Sequence, residues 1–297
     1  MRLHAFDLNE PVPELNQPQA FAIIQPWTDI SRVGSLVLSC LESSLGAKDL
    51  GKLARPGDFF DFTRYRPTLI RKENHSEINV PNTIITYGTQ SGSHDFLFLR
   101  LLEPHMQAEE YIDSVVELLN TFGVKRYCLI GAMYDMVPYT RPVLVTGNAS
   151  NPELQKRLAL DNIRHSDYQG PTTILSIIRD RVTKLGIDTC NMIAHLPGYF
   201  MMEDDYRGEK RLMEVISSLY GFAMPQEDLE KANQQEEQVR LMAEQIMEQE
   251  PRLRQILKQL EDSYDSRFEK DKPETQLSPE VEKFLQDLER RFRQESP

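Results

Sequence analysis

Glu103–Pro104–His105 sets a carboxylate and an imidazole two positions apart, just beyond the apolar run Asp95–Leu102, and Asp135 follows the apolar run Val124–Gly131. Ligands of α/β sheets bind at strand ends, so Glu103, His105 and Asp135 are the best polar cluster for acid–base or metal chemistry. The plainer reading of the three is loop capping or an interface. Gly131–Gly147 (GAMYDMVPYTRPVLVTG) holds Tyr139, Thr140 and Arg141 between Pro138 and Pro142, which describes a rigid, shaped excursion. Arg141 has two readings there: a bidentate hold on a carboxylate or phosphate, or a pair with an acidic side chain of its own chain or a neighbouring subunit. His195–Leu196–Pro197–Gly198–Tyr199 follows another strand end and lines the same rim. Aromatic residues without catalytic partners suit a binding surface better than an active site.

Other chemistry finds little support. The chain has neither GxGxxG nor GxxxxGK[ST], and Gly88–Thr89–Gln90–Ser91–Gly92 lacks both the lysine and the following helix. A GxSxG nucleophile elbow is missing too. His94 and Asp95 are strand neighbours that point to opposite faces, so they would not chelate together. Cys40, Cys128 and Cys190 lack metal-ligand spacing and each lies in an apolar run, as free buried thiols do. No catalytic set, resident metal or cofactor is therefore expected.

The elements that must position these residues follow from periodicity. Ala20–Trp27 reads as a buried strand, and Ile30–Leu45 as a helix capped by Asp29 or Ser31 and stopped at Gly46. Phe59–Phe62, Thr68–Arg71, Thr83–Gly88 and Asp95–Leu102 read as four strands, with antiparallel pairing plausible and Lys72–Ser76 as a turn. Beyond His105, helices and strands alternate. Ala108–Phe122, Asn151–Leu158, Thr172–Leu185 and Tyr206–Tyr220 are helical, the third capped by Thr172. Val124–Gly131, Pro142–Thr146 and Ile187–Leu196 are strands. Such alternation predicts an α/β fold with a mixed, largely parallel sheet flanked by helices.

Beyond Gly221 there is no glycine, and Gln226–Gln249 is built from strong helix formers. Val239, Met242, Ile246, Leu253, Ile256, Leu260 and Tyr264 form a seam that packs along a partner surface, broken at Pro251. After a polar linker at Asp271–Thr275, Ser278 caps a last helix with the stripe Val281, Phe284, Leu285, Leu288 and Phe292. More than half of the net charge of −12 lies beyond Gln226. The chain thus divides into an α/β domain over 1–225 and an acidic helical extension over 226–297. The extension either docks on its own domain or grips another subunit.

The acidic balance argues against nucleic acid and anionic membrane as partners. MRLHAFDLNEPVPEL lacks the features of a signal peptide, and no apolar run is long enough to span a bilayer. With the scattered thiols, this places the protein in the cytoplasm.

One set of landmarks carries a resemblance: Glu103–Pro104–His105, Gly131–Ala132, Val137–Pro138–Tyr139–Thr140–Arg141–Pro142, Thr146–Gly147–Asn148–Ala149, Tyr168–Gln169–Gly170–Pro171–Thr172 and His195–Leu196–Pro197–Gly198–Tyr199. From about Phe21 to Tyr220 the sequence is similar to the proteasome assembly chaperone family, second-subunit type, in its prokaryotic branch. The extension resembles that of longer bacterial members. The resemblance implies a nucleoside-phosphorylase-like α/β domain, self-association, and a role in protein assembly instead of an established reaction. The implied partners are further copies of the chain and a client such as proteasome-like ring subunits. Archaeal members end in a hydrophobic–tyrosine–any-residue docking motif. This chain ends Glu295–Ser296–Pro297, which puts that docking mode in question and leaves the client open. On this reading Tyr139–Pro142 is a self-association surface. The alternative is a hydrolase or transferase for a small anionic ligand, with Glu103, His105 and Arg141 as its acid–base and anion-binding groups.

Overall fold

A computed structural model describes residues 1–72, 75–90, 92–249, 252–268 and 281–283. The N-terminal strands β1 (Arg2–Leu3) and β2 (Phe6–Leu8) precede β3 (Gln19–Gln25), which is buried at six of its seven positions as a central strand must be. Helix α1 (Val33–Leu45) follows. Arg32 is at its N-cap position, at the end of the 3-10 turn Ile30–Arg32. Asp29 holds the first turn from outside, Oδ1 accepting from the Ser35 N–H at 2.9 Å, and left-handed Gly46 ends the helix. Then come β4 (Lys48–Leu53), β5 (Thr68–Arg71), β6 (Ser76–Asn79), β7 (Ile84–Gly88) and β8 (Phe96–Leu102). Helix α2 (Ala108–Thr121), β9 (Arg126–Asp135), β10 (Leu144–Ala149), α3 (Pro152–Leu160), α4 (Ile174–Lys184), β11 (Asp188–Pro197) and α5 (Tyr206–Tyr220) complete the α/β unit. Helices α6 (Gln226–Gln249) and α7 (Arg252–Ser266) follow.

Nine strands form one sheet in the order β1-β2-β4-β7-β8-β3-β9-β11-β10. The central run β8-β3-β9-β11 is parallel and the flanks are antiparallel, so the expected mixed sheet with a parallel centre is present. Alternation along β3 sends Ala20, Ala22 and Ile24 to a core shared with α2 and α4, and Phe21 and Ile23 to one shared with α1, α3 and α5. Beyond β10 the backbone of Arg164 accepts from the Gly147 N–H at 2.8 Å and donates to Val145 O at 3.1 Å, covering that edge.

Two local expectations change. Phe59–Phe62 is a turn and not a strand. Phe59 and Phe60 are buried plugs, and the Phe59 carbonyl accepts from the N–H groups of His105 and Met106. At Lys72–Ser76 the Lys72 N–H donates to the His75 carbonyl at 2.8 Å, as a turn requires. Ser76, however, already belongs to β6, an unforeseen strand that pairs with β5 as a separate two-stranded hairpin. Along the extension, Val239, Leu260 and Tyr264 are buried as expected, whereas Met242 is 43% exposed. Ala232 and Ala243 are buried in its place, because the buried face repeats at Ala232, Val239 and Ala243. Pro251, the linker, Ser278 and the stripe from Phe284 onward lie outside the described residues, as does the Ile246 side chain.

Candidate functional site

All four parallel strands present their carboxyl ends at one margin of the sheet, the place where this architecture puts ligands. Asp135 is the last residue of β9, and His195 lies near the end of the adjacent β11, registered with Met133. Asp135 Oδ2 stands 2.9 Å from His195 Nδ1, and His195 Nε2 stands 2.8 Å from Thr146 Oγ1 on β10. The Asp135 carboxylate can only accept, so Nδ1 carries the proton between them, and Nε2 and the Thr146 hydroxyl share the second hydrogen bond. Burial pushes the Asp135 carboxyl up, but the His195 bond, Arg267 at 3.5 Å and the Met136 N–H together hold it down at about 2. The resulting order, hydroxyl–imidazole–carboxylate, is the order of an acyl-transfer triad.

The segment between β9 and β10 forms the expected rigid excursion. Tyr199 Oη donates to Val137 O at 2.9 Å and accepts from the Tyr139 N–H at 3.0 Å, while the Tyr139 ring meets Phe200 edge-on at 5.7 Å. Arg141 projects onto α7. Its Nε and Nη2 donate to Asp265 Oδ1 and Oδ2 at 2.9 and 2.7 Å, and Nη1 donates to Glu261 Oε1 at 3.1 Å. Thr140 Oγ1 donates to the same Glu261 oxygen, and Tyr264 Oη to Pro142 O at 2.9 Å. Tyr264 is buried with Val137 and Leu144. Leu260 and Val281 are buried against Met136, Tyr199 and Ile256.

Of the two readings of Arg141, the pair with acidic side chains of its own chain is the one present, because two carboxylates of α7 satisfy its guanidinium. Helix α7 lies against Tyr139–Pro142, and Thr140 and Pro142 stay exposed beside it.

Glu103 and His105 do not join Asp135. They leave the end of β8, and β3 separates that strand from β9. Glu103 Oε1 accepts from the Ile174 N–H at 3.1 Å and so caps α4, the role assigned in sequence to Thr172. Burial holds the Glu103 carboxyl above its ordinary range, with the Ile174 bond pulling the other way. His105 Nδ1 accepts from the Asp61 N–H at 3.2 Å, and its ring lies 4.6 Å from Tyr65. The two residues line an open cleft of about 830 Å³ with Trp27, Phe60, Asp61 and Arg64. The polar cluster expected from sequence is thus two sites: Glu103 with His105, and Asp135 with His195, Tyr139, Thr140, Arg141 and Tyr199. Sequence reasoning missed Thr146, Glu261, Asp265 and Arg267. Only Thr146 carried a signal, as the polar position before Gly147 on a strand.

The sequence model of the PAC2 family matches residues 23–246, and the chain belongs to that family. No curated protein matches the sequence. A PAC2 family protein from Streptomyces avermitilis has a similar structure, with 24% identity over 76% of this chain and 96% of that one and a TM-score of 0.69. A Corynebacterium glutamicum protein of unknown function superposes over 91% of this chain and 100% of its own at 19% identity, TM-score 0.75. A Mycobacterium tuberculosis proteasome-assembly chaperone homologue does so over 74% and 93% at 20% identity, TM-score 0.66. At these identities the likeness is one of fold. No helix among the described residues is long and apolar enough to cross a membrane.

Proposed function

We propose that this chain is a non-enzymatic protein-assembly or interaction protein that works as a homo-oligomer in the cytoplasm. The observation that carries the reading is the β5–β6 hairpin. All eight of its strand residues are exposed, with Leu69 at 59%, Ile70 at 41% and Ile78 at 64%. A two-stranded hairpin is marginal in water by itself, and apolar side chains gathered on an arm mark a contact surface. The similar M. tuberculosis protein is a proteasome-assembly chaperone homologue, so a ring subunit of proteasome type is the client we favour. The net charge of −12 favours protein over nucleic acid or anionic membrane, and three buried free thiols suit a reducing compartment. In this reading 1–225 is the working domain and 226–297 an extension that docks on it. The test is purification of the tagged chain from its native cells, with native mass spectrometry of the complex. A stoichiometric ring-subunit partner supports the reading; a lone monomer overturns it.

The Asp135–His195–Thr146 relay favours a second reading, a hydrolase or transferase at the strand ends. It has lost Arg141 as an anion-binding group, and Arg267, one residue past α7, stands 3.5 Å from its carboxylate. Thr146→Val abolishing turnover of an ester or amide substrate would revive it.

A further inference from the structure

Apart from the residues of the strand-end site, three helices converge on a thiol and two carboxylates. Cys40 comes from α1, Glu209 from the first turn of α5 and Asp228 from the first turn of α6. One ligand atom from each lies within 4.8 Å of the others. Cys40 is 5% exposed and Glu209 1%. Glu209 Oε2 is buried without a hydrogen-bond partner among the described residues. A carboxylate oxygen shut away from water with nothing to donate to it is costly. Its partners in the cluster are a thiol and another carboxylate, neither of which can neutralise it.

We propose that Cys40, Glu209 and Asp228 bind one divalent cation of zinc type, which fastens α6 to α1 and α5. One thiolate and two carboxylates are zinc ligands, and the sulfur disfavours magnesium and calcium, which take oxygen. Tetrahedral zinc sets neighbouring sulfur and oxygen ligands about 3.5 Å apart, given bonds of about 2.3 and 2.1 Å. From separations within 4.8 Å the three side chains therefore close by at most about 1.3 Å, within the reach of χ rotations. The fourth position is open for water.

The charge count also works. Zinc with a thiolate and two carboxylates carries one net negative charge, and Lys231 supplies the compensating positive one. Its Nζ lies 3.2 Å from Asp228 Oδ1 and 2.8 Å from Glu227. Binding would release the Cys40 proton to solvent.

The experiment uses the full chain without an affinity tag, stripped by a chelator and titrated with cobalt(II) and then zinc(II). One equivalent of cobalt should give the near-ultraviolet thiolate-to-cobalt absorption, and zinc should displace it. Cys40→Ser should remove that absorption. Asp228→Asn, at a half-buried position that leaves the core intact, should weaken zinc binding at least about tenfold. An unmodified chain that gives no thiolate-to-cobalt absorption overturns the proposal, whatever the variants do. So does an absorption that persists in folded Cys40→Ser, which would place the metal on Cys128 or Cys190.

Discussion

Arg141 and Asp265, 124 residues apart in the chain, meet as a two-bond fork, Nε on Oδ1 at 2.9 Å and Nη2 on Oδ2 at 2.7 Å. The planar guanidinium matches a carboxylate in this geometry and no ammonium could copy it. Asp265 is held below the usual carboxylate range by the Arg141 hydrogen bond, and Arg141 is raised in turn. The fork is the polar seam by which α7 grips the excursion between β9 and β10.

Breaking that fork should loosen α7 and little else. The side chains are 32% and 47% exposed, so solvent screens the pair and its contribution is about 0.5–1 kcal/mol. Arg141→Ala should lower stability by that amount and speed amide exchange in 252–266, with exchange in β9 unchanged. Equal acceleration in β9 would mean that the fork supports the sheet and not the docked helix.

Asp135 gives the chain a pH signature. Its carboxyl titrates at about 2 when folded, against about 3.9 in an unfolded chain. The folded state then binds fewer protons between those values, so this stabilisation is complete above about pH 5 and is lost progressively as the pH falls toward about 1. At neutral pH it is worth about 2 kcal/mol. Asp135→Asn should flatten the acid limb of a stability–pH curve measured by chemical denaturation. An unchanged limb would show that other carboxylates set it.

Leu69→Asp with Ile78→Asp places charges on the hairpin, away from both cores. The doubly substituted chain should keep its melting temperature within about 2 °C, because the exposed sites contribute little to folding. Its mass by light scattering should fall to that of a single chain. A mass unchanged from the unmodified protein would remove the hairpin from the interface.

Gly147 follows Thr146 on β10, and a Cβ there would lie 2.1 Å from the Asn191 carbonyl oxygen of β11. Backbone cannot yield as a flexible side chain can. Gly147→Ala should therefore cost about 3 kcal/mol by denaturant titration, at the upper end of overpacking. A loss below about 1 kcal/mol would show that β10 and β11 can slide apart.

Periodicity made the helices and the central strands legible. Tyr206–Tyr220 matches α5 end for end, and β3, β8, β9 and β11 fall within a few residues of their expected places. Strand β4 escaped because Lys-Asp-Leu-Gly-Lys-Leu has charges and a glycine where a strand pattern needs branched residues. The site was half legible. Proline and aromatic spacing exposed the excursion, but the partners of Arg141 lie on a helix whose docking no local pattern encodes. Glu103 and Asp135 were grouped because both end strands, and only strand order shows that β3 divides them. The Cys40 cluster was invisible for a related reason: its ligands share no spacing, only a meeting of three helices.

The backbone around Arg164 already holds the outward hydrogen-bonding groups of Val145 and Gly147, and at the far side the sheet stops on the two-residue β1. Neither margin offers a free ladder on which a neighbour's strand could grow, so the nine-stranded sheet resists becoming a seed for fibrils. Among the described residues, open strand edges of any length are confined to the small hairpin. Growth by strand addition is thereby restricted to one short, twisted element that a partner can sheath.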